Sequence, residues 1–171
     1  MNKSAIIGTL LGDAWIQKVI KIGKKGDQNS TFSFNFTQVN KEFAEWKAKI
    51  IGLPFTSNDY MRFDNRTKKY YHNTHIHLIL DKNKKEELYN LFYKPKKQVN
   101  LEILNMLDDL GIAIWYMDDG SMYYNSNNCH LTLAVNGFTN DEQLLIINYF
   151  KNKYNIRFTK TQKLIRITSK K

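Results

Sequence analysis

Two apolar runs that each end in an aspartate constrain the fold of this chain more than any other feature. The first is Ser4-Ala-Ile-Ile-Gly-Thr-Leu-Leu-Gly-Asp-Ala-Trp15, and the second is Leu110-Gly-Ile-Ala-Ile-Trp-Tyr-Met-Asp-Asp-Gly-Ser121. Each is long enough for about two or three helical turns. Gly8 and Gly12 lie four positions apart on one helical face, which lets two backbones approach closely. If the helices pack side by side, Asp13 and Asp119 lie at the same end, as a divalent metal site for phosphodiester chemistry requires.

The charge of the chain indicates its partner. The 171 residues carry a formal net charge of +10, which predicts attraction to a polyanion, with nucleic acid first and an anionic membrane second. No apolar run approaches the roughly 20 residues of a membrane span, and no basic segment precedes the first apolar stretch. The single cysteine, Cys129, cannot form an internal disulfide. We therefore expect an intracellular protein without an export signal, in a bacterial or phage-infected cytoplasm or in a mitochondrion.

The residues after the first run alternate as a half-buried sheet does. Residues 15–22 are rich in β-formers, and in 31–37 the phenylalanines 32, 34 and 36 face one side while Thr31, Ser33, Asn35 and Thr37 face the other. The polar side suits contact with base edges, although in most proteins such a face is simply solvated. Asn40 can cap a helix whose inward positions are Phe43, Trp46, the Lys47 stem and Ile50.

A hairpin and a basic helix complete the first half. Residues 58–64 and 68–80 are predicted strands around a turn rich in basic side chains, and a helix is expected over 83–93. His75 and His77 share one strand face, so a zinc site has to be considered. Because no further ligand of the usual kind lies nearby on that face, polar base readers or plain surface are favoured over zinc.

The second half repeats this pattern. Asn100 caps a short helix, 130–136 alternates as a strand, and Thr139 with Glu142 forms a capping box for a helix over 140–154. A closing hairpin is predicted around Lys163. The halves are predicted to span 1–100 and 101–171.

The two runs contain a recognisable signature. Ile6-Ile-Gly-Thr-Leu-Leu-Gly-Asp-Ala14 and Ile112-Ala-Ile-Trp-Tyr-Met-Asp-Asp-Gly120 resemble two copies of the nine-residue motif of the LAGLIDADG homing endonucleases, with their aspartates 119 − 13 = 106 residues apart. The branch with two motifs in one chain, which includes the mitochondrial omega-intron endonuclease, is the most similar. Relatives continue with a further helix, so the second half is expected to be shortened at its C-terminus.

The resemblance implies both fold and activity. The fold is α+β, with two pseudo-symmetric αββαββα-like halves, a two-helix central interface, and curved antiparallel sheets that form a DNA-binding saddle. The activity is site-specific hydrolysis of both strands of a long double-stranded DNA site with divalent metal, which leaves short 3′ overhangs and serves intron homing. A monomer is expected because both motifs are in one chain.

The resemblance also implies roles for individual residues. Asp13 and Asp119 are the expected metal ligands, with carbonyl oxygens from Gly12 and Asp118, and Mg²⁺ is the expected ion, with Mn²⁺ tolerated. Lys97 and its presumed counterpart Lys163 would polarise water or stabilise developing charge, and Asn35 would order water, with Ala134 in the equivalent place of the second half. The expected DNA contacts are Gln17, Lys18, Lys21, Asn35, Arg62, Arg66, His75, His77, Arg157 and Arg166.

Three other interpretations stay open at this point. Tyr116-Met-Asp-Asp119 also matches the palm motif of reverse transcriptases, although a second Gly-Asp motif within 171 residues leaves little room for that enzyme. Asp13 and Asp119 could be ordinary solvent-facing helix ends, but acids there oppose the helix dipole. The third alternative keeps the fold without the reaction, as an intron-RNA-binding maturase or a non-cleaving DNA-binding protein.

Overall fold

The computed structural model describes residues 1–22, 28–125, 128–160 and 164–170. Its elements follow one another as α1 (Lys3–Leu11), β1 (Trp15–Ile22), β2 (Gln28–Gln38), α2 (Lys41–Ile51), β3 (Phe55–Asp64), β4 (Lys69–Leu78), α3 (Lys82–Phe92), α4 (Leu101–Asn105), α5 (Asp109–Asp119), β5 (Gly120–Asn125), β6 (Asn128–Ala134), α6 (Asn140–Tyr154), β7 (Thr159–Lys160) and β8 (Leu164–Lys170). None of the described helices is both long and apolar enough for a membrane span.

The element order repeats, which confirms the predicted α+β class. A helix, two strands, a helix and two more strands occur from α1 to β4 and again from α5 to β8. Both sheets are antiparallel and four-stranded, with the orders β1-β2-β4-β3 and β5-β6-β8-β7, so the second is topologically a copy of the first.

The chain also divides into two compact units, and their residue bounds differ from those of the two repeats. One unit contains Met1–Lys3 and Asp13–Leu91, and the other contains Ser4–Gly12 and Phe92–Lys171. Most of α1 therefore belongs with the second unit, although β1 to β4 belong with the first. The division of the sequence repeats at residue 100 stays a prediction.

The first sheet buries the face that the alternation predicts. Phe34, Phe36, Ile76 and Leu78 are fully buried, and the register sets Phe34 opposite Leu78 and Phe36 opposite Ile76. Such pairs of large apolar side chains across neighbouring strands stabilise the sheet and fix its register.

Helix α2 is capped as expected but turns a different face inward. The Asn40 side chain accepts a 2.8 Å hydrogen bond from the Phe43 N–H, which confirms the cap. The buried positions are Ala44, Lys47, Ala48 and Ile51. Trp46, expected inside, is 40% exposed. Small alanines allow close packing on the sheet, and the buried Lys47 ammonium lies 4.3 Å from the centroid of the Phe36 ring, a cation–π contact.

Two glycines allow α1 and α5 to pack closely within the second unit. A Cβ added at Gly8 would collide with the Gly111 carbonyl group, and one added at Gly111 would collide with Ser4. The start of α5 is fixed from both sides, since Asp108 accepts a hydrogen bond from the Gly111 N–H at 2.9 Å and donates its own N–H to Ser4 Oγ at 2.8 Å. The close approach expected for the first motif is therefore present.

The capping box of α6 is confirmed. The Thr139 side chain accepts from the Glu142 N–H, and a Glu142 carboxylate oxygen accepts from the Thr139 N–H at 2.6 Å. Ile146, Tyr149 and Phe150 on this helix are buried in the core of the unit, together with Trp115 of α5.

Candidate metal and nucleic-acid site

A pocket of about 310 Å³ lies at the C-terminal ends of α1 and α5 in the second unit. The last carbonyl groups of a helix have no partners within it and carry partial negative charge, so a helix C-terminus attracts cations. Asp119, the half-buried last residue of α5, adds a full negative charge. The lining residues are Leu11, Gly12, Lys97, Asp119, Ala134, Asn136, Gly137 and Phe138.

Lys97 reaches this pocket from the connector that follows α3. Its ammonium donates a 2.8 Å hydrogen bond to the Gly12 carbonyl oxygen. The connector is held by its backbone on both sides of the lysine: Tyr93 and Lys97 form an antiparallel bridge, and the Val99 N–H donates to the Glu142 carboxylate at 2.9 Å. The half-buried Lys97 is therefore fixed beside the end of α1 rather than solvated as linker lysines usually are.

The two aspartates at the end of α5 face different surroundings. Asp118 lies against Gly12, where an added Cβ would be 2.5 Å from Asp118 Oδ2. Asp119 instead lines the pocket with Lys97. Only glycine at position 12 leaves room for the Asp118 carboxylate, which explains the second small residue of the first motif.

Asp13 belongs to the first unit, where its carboxylate is exposed and hydrogen-bonded. Gln38 Nε2 donates to Asp13 Oδ2 at 2.7 Å. Sequence reasoning missed Gln38, because its only signal was a polar residue at the end of a strand. The structure thus adds Gln38 to the candidate site residues. Asp119 is in the other unit.

The polar face of the first sheet lies opposite its buried phenylalanines. The term polar face here means the outward residues of the four strands of this sheet, which alternate with the core positions. Asn35 lies there, only 6% exposed, between two neighbouring strands. Its Nδ2 donates to Ser33 Oγ at 3.1 Å, and its Oδ1 lies 2.8 Å from His77 Nδ1. The described members of this face include Trp15, Gln17, Ser33, Asn35, Thr37, Thr56, Arg62, Tyr71, Asn73, His75 and His77.

The two histidines on this face have different environments. Burial is the main cause that lowers the pKa of His77 below its usual value, with smaller effects from the charges of Lys85 and His75. His75 Nδ1 lies 3.3 Å from Thr37 Oγ1, and its ring lies 5.9 Å from that of Trp15. Among the described residues no group of three or more His, Cys, Asp or Glu side chains could hold a metal ion.

Lys18 does not share the polar face with Gln17. In the β1–β2 register it is opposite Phe32, on the side of the sheet that α3 covers. Its ammonium lies 5.7 Å from the Phe32 ring and 5.8 Å from the Tyr89 ring. Lys18 is thus placed among aromatic rings, away from the proposed base readers. Lys21 lies in the same strand, opposite Asn29.

The basic residues predicted to contact DNA are spread over both units. Arg62 and Arg66 line a cleft of about 620 Å³ at the β3–β4 hairpin. The Arg66 guanidinium donates two hydrogen bonds to Asp64, at 3.0 and 3.3 Å. Arg157 is exposed between α6 and β7, and Arg166 lies in β8 opposite Thr132.

The repeated topology identifies counterparts that differ from the expected ones. Asn35 pairs with Trp15, two residues after Asp13, whereas the residue that pairs with Ser121, two after Asp119, is Thr132. The strand register therefore makes Thr132, and not Ala134, the counterpart of Asn35. Asn35 lies five residues before the helix cap Asn40, whereas Thr132 lies seven residues before the helix cap Thr139.

Lys163 lies outside the described residues. Its assignment as the counterpart of Lys97 stays a prediction.

The comparisons with known proteins agree with one another. A model of the LAGLIDADG DNA endonuclease family matches residues 3–170. A protein of Wickerhamomyces canadensis named probable intron-encoded endonuclease 1 is 27% identical over 183 aligned positions, which cover 99% of this chain and 74% of that protein. A protein of Mycosarcoma maydis named probable intron-encoded DNA endonuclease 3 is 29% identical over 113 positions, which cover 63% of this chain and 75% of that protein.

Solved structures show the same fold. The homing endonuclease I-WcaI, bound to its DNA recognition sequence, superposes with a TM-score of 0.78 at 23% identity, over 97% of this chain and 74% of that one. I-SmaMI, bound to an uncleaved DNA target with calcium ions, gives a TM-score of 0.52 at 13% identity, over 100% of this chain and 80% of that one. The expected resemblance is confirmed, and the chain is a member of the LAGLIDADG DNA endonuclease family.

Proposed function

We propose that this protein is a homing endonuclease that hydrolyses both strands of a specific DNA site with Mg²⁺, leaves short 3′ overhangs, and accepts Mn²⁺ in place of Mg²⁺. The endonuclease activity rests on the family. The observation that supports the chemistry is the pocket in which Lys97, the Gly12 carbonyl group and Asp119 lie together at two helix ends.

The oxygen groups of this pocket fit a hard divalent cation. LAGLIDADG endonucleases are metal-dependent, and Mg²⁺ is usually bound by one or two carboxylates together with waters and substrate phosphates. Asp119 supplies such a carboxylate, and the Gly12 carbonyl oxygen keeps one lone pair beyond the one that accepts from Lys97. For Asp13 and the Asp118 carbonyl group, the proposal as metal ligands rests on the family resemblance. Bound there, the cation would activate water and neutralise charge on the phosphate.

Lys97 contributes a fixed positive charge to the same pocket. Its ammonium donates to the Gly12 carbonyl group, and an ammonium group is also a suitable donor to a phosphate oxygen or a water. A preorganised donor of this kind stabilises the charge that develops during phosphodiester hydrolysis. Because the contact joins residues 85 positions apart, the lysine is positioned by the fold and not by its local sequence.

Asp13 is the proposed acid for the other strand. Its carboxylate is oriented by Gln38, which donates at 2.7 Å. A hydrogen bond from a neighbouring side chain fixes which carboxylate oxygen is available to a cation. Two acids, one in each repeat, support cutting of both strands by a monomer.

The proposed DNA surface combines phosphate attraction with base contacts. The net charge of +10 favours binding to phosphates, which gives affinity without sequence preference. The polar face of the first sheet, with Gln17, His75 and Arg62, supplies side chains that can reach base edges. Binding should therefore weaken steeply as the salt concentration rises.

The acids can be tested on supercoiled plasmid that carries the uninterrupted form of the gene in which this coding sequence is inserted. With Mg²⁺, the unmodified protein should linearise the plasmid and leave short 3′ overhangs. Asp13→Asn and Asp119→Asn should each abolish linear product. Glu87→Gln, which removes one exposed negative charge from α3, is the matched control and should cut normally.

Two results would contradict the proposal. Linear product that persists in the double variant Asp13→Asn, Asp119→Asn would remove both acids from the reaction. Tight binding of the intron RNA, without any DNA cutting by the unmodified protein, would favour a maturase.

A further inference from the structure

We infer that Asn35 fixes the tautomer of His77, so that His77 presents a hydrogen-bond acceptor to the major groove and selects an amino base, adenine or cytosine, over guanine or thymine at one position of the target. This inference rests on the proposed DNA binding and names what one residue of the polar face recognises. It assigns Asn35 a positioning role within the DNA-binding surface.

The first step is the orientation of the Asn35 amide. Its Nδ2 donates to Ser33 Oγ at 3.1 Å, two residues earlier on the same face. Its Oδ1 lies 2.8 Å from His77 Nδ1. A carbonyl oxygen can only accept, so His77 Nδ1 must carry the proton.

The second step is the state of the other ring nitrogen. A neutral imidazole has one protonated nitrogen, so when Nδ1 carries the proton Nε2 is an acceptor. The ring is neutral at physiological pH, because burial and nearby positive charge lower the pKa of His77. The charged or titratable neighbours are Lys85 on α3 and His75 on β4, while the residues opposite on β2 and β3, Asn35 and Thr56, are uncharged.

The third step is what an acceptor can read. In the major groove adenine presents the N6 amine and cytosine the N4 amine, whereas guanine O6 and thymine O4 occupy the same places as acceptors. An acceptor held at one position therefore favours adenine over guanine and cytosine over thymine. His77 is half-buried on the polar face, so part of its side chain is accessible to a bound duplex.

His75 provides the internal comparison. It lies two residues away on the same face, but its Nδ1 neighbour is the Thr37 hydroxyl group, which can donate or accept. Nothing in that contact selects one tautomer. We therefore expect a strict amino-base preference from His77 and none of this kind from His75.

The test is selection of a random-sequence DNA duplex pool by binding, without divalent metal so that cleavage plays no part. Sequencing of the bound fraction gives the base preference at each position. The unmodified protein should prefer an amino base at one position by about tenfold, the discrimination that a single hydrogen bond to a base edge provides. His77→Ala should remove this preference, and His75→Ala should keep it.

Asn35→Asp gives the sharper result. A carboxylate still accepts from Nδ1, but it stabilises the protonated ring, so Nε2 becomes a donor and the preference should change to guanine or thymine. Selection by the unmodified protein at a pH below the lowered pKa of His77 should change the preference in the same direction, and it requires no substitution.

The failures are distinguishable. Enrichment of one motif that is identical for the unmodified protein and His77→Ala would overturn this inference and leave the endonuclease intact. An amino-base preference retained by Asn35→Asp would also overturn it. A pool without any enrichment would contradict specific DNA binding itself, and with it the proposed function.

Discussion

The Lys97 ammonium donates a 2.8 Å hydrogen bond to the carbonyl oxygen of Gly12, the residue directly before Asp13 in the chain. A lysine from the connector after α3 is thereby fixed at the end of the first motif helix. In the same pocket lies Asp119, the last residue of the second motif helix. The contact therefore places an ammonium group, which neither motif contains, in the pocket that Asp119 lines.

Lys97→Met should reduce the rate of DNA cleavage by about a hundredfold or more, the effect of removing one preorganised donor from a charged transition state. Methionine keeps most of the stem, so folding should be preserved. The rate is measured with saturating DNA and Mg²⁺. Lys96→Met, at an exposed neighbour, is the control and should retain the normal rate. Equal rates for the two variants would remove Lys97 from the site.

Gly8→Ala should lower the free energy of unfolding by about 1–3 kcal/mol, since overpacking a close contact costs that much. The added Cβ would collide with the Gly111 carbonyl group, which is backbone and cannot move aside. Alanine's better helix propensity, worth about 1 kcal/mol, offsets part of the loss. Urea unfolding measures the change. Gly137→Ala meets no atom within 4 Å and should change stability by less than about 0.5 kcal/mol.

Glu142→Ala should destabilise the protein more than Thr139→Ala. Glu142 accepts from two backbone N–H groups, that of Thr139 at 2.6 Å and that of Val99 at 2.9 Å. Leaving the buried Val99 N–H without a partner costs about 1–3 kcal/mol in addition to the weakened cap, whereas losing the Thr139 cap alone costs about 1 kcal/mol. Thermal unfolding compares the variants. Because Val99 follows Lys97 by two residues, Glu142→Ala should also slow cleavage, and a cleavage rate equal to that of Thr139→Ala would contradict this link.

Gln38→Glu should make the enzyme accumulate nicked circular plasmid. The substitution replaces the donor to Asp13 by a second carboxylate at about the same place, so the orienting hydrogen bond becomes a repulsion. Losing such an orienting partner typically costs about 10–100-fold. Agarose gels of a cleavage time course separate supercoiled, nicked and linear forms. Direct conversion from supercoiled to linear plasmid at the normal rate would show that Gln38 does not orient the acid.

Arg66→Gln should raise the pKa of Asp64. Hydrogen bonds from the Arg66 guanidinium hold that pKa at about 2, below the ordinary 3.8. Since the folded-state pKa is the lower one, the pair stabilises the fold above about pH 4, and the contribution is lost as the pH falls from 3.8 towards 2. An NMR titration of the Asp64 carboxyl carbon measures the shift. If the pKa of Asp64 stayed near 2 in the variant, groups other than the Arg66 side chain would be the cause of its lowering.

Much of the local structure could be read from short-range patterns. The alternation of Phe32, Phe34 and Phe36 gave the buried face of β2, and Asn40 and Asn100 gave two helix starts. These features depend on side-chain period and on hydrogen bonds between residues three positions apart, so a window of about ten residues contains their cause.

The site could be predicted only in part for the opposite reason. The signature indicated Asp13 and Asp119 as candidates, but the Gln38 contact with Asp13 and the inward face of α2 depend on how strands and helices pack. Trp46 and Lys47 show this most clearly: apolarity favoured the tryptophan inside, yet the lysine stem fits over Phe36.

The sequence by itself determined the family, the alternating sheets and the helix caps, and it indicated the two candidate acids, because each of these patterns is encoded in neighbouring residues. Only the tertiary structure decided that Lys97 reaches Gly12, that Lys18 faces aromatic rings, and that Thr132 is the counterpart of Asn35. Each of these joins residues distant in sequence or depends on strand register, and such contacts are selected by the packing of the whole core.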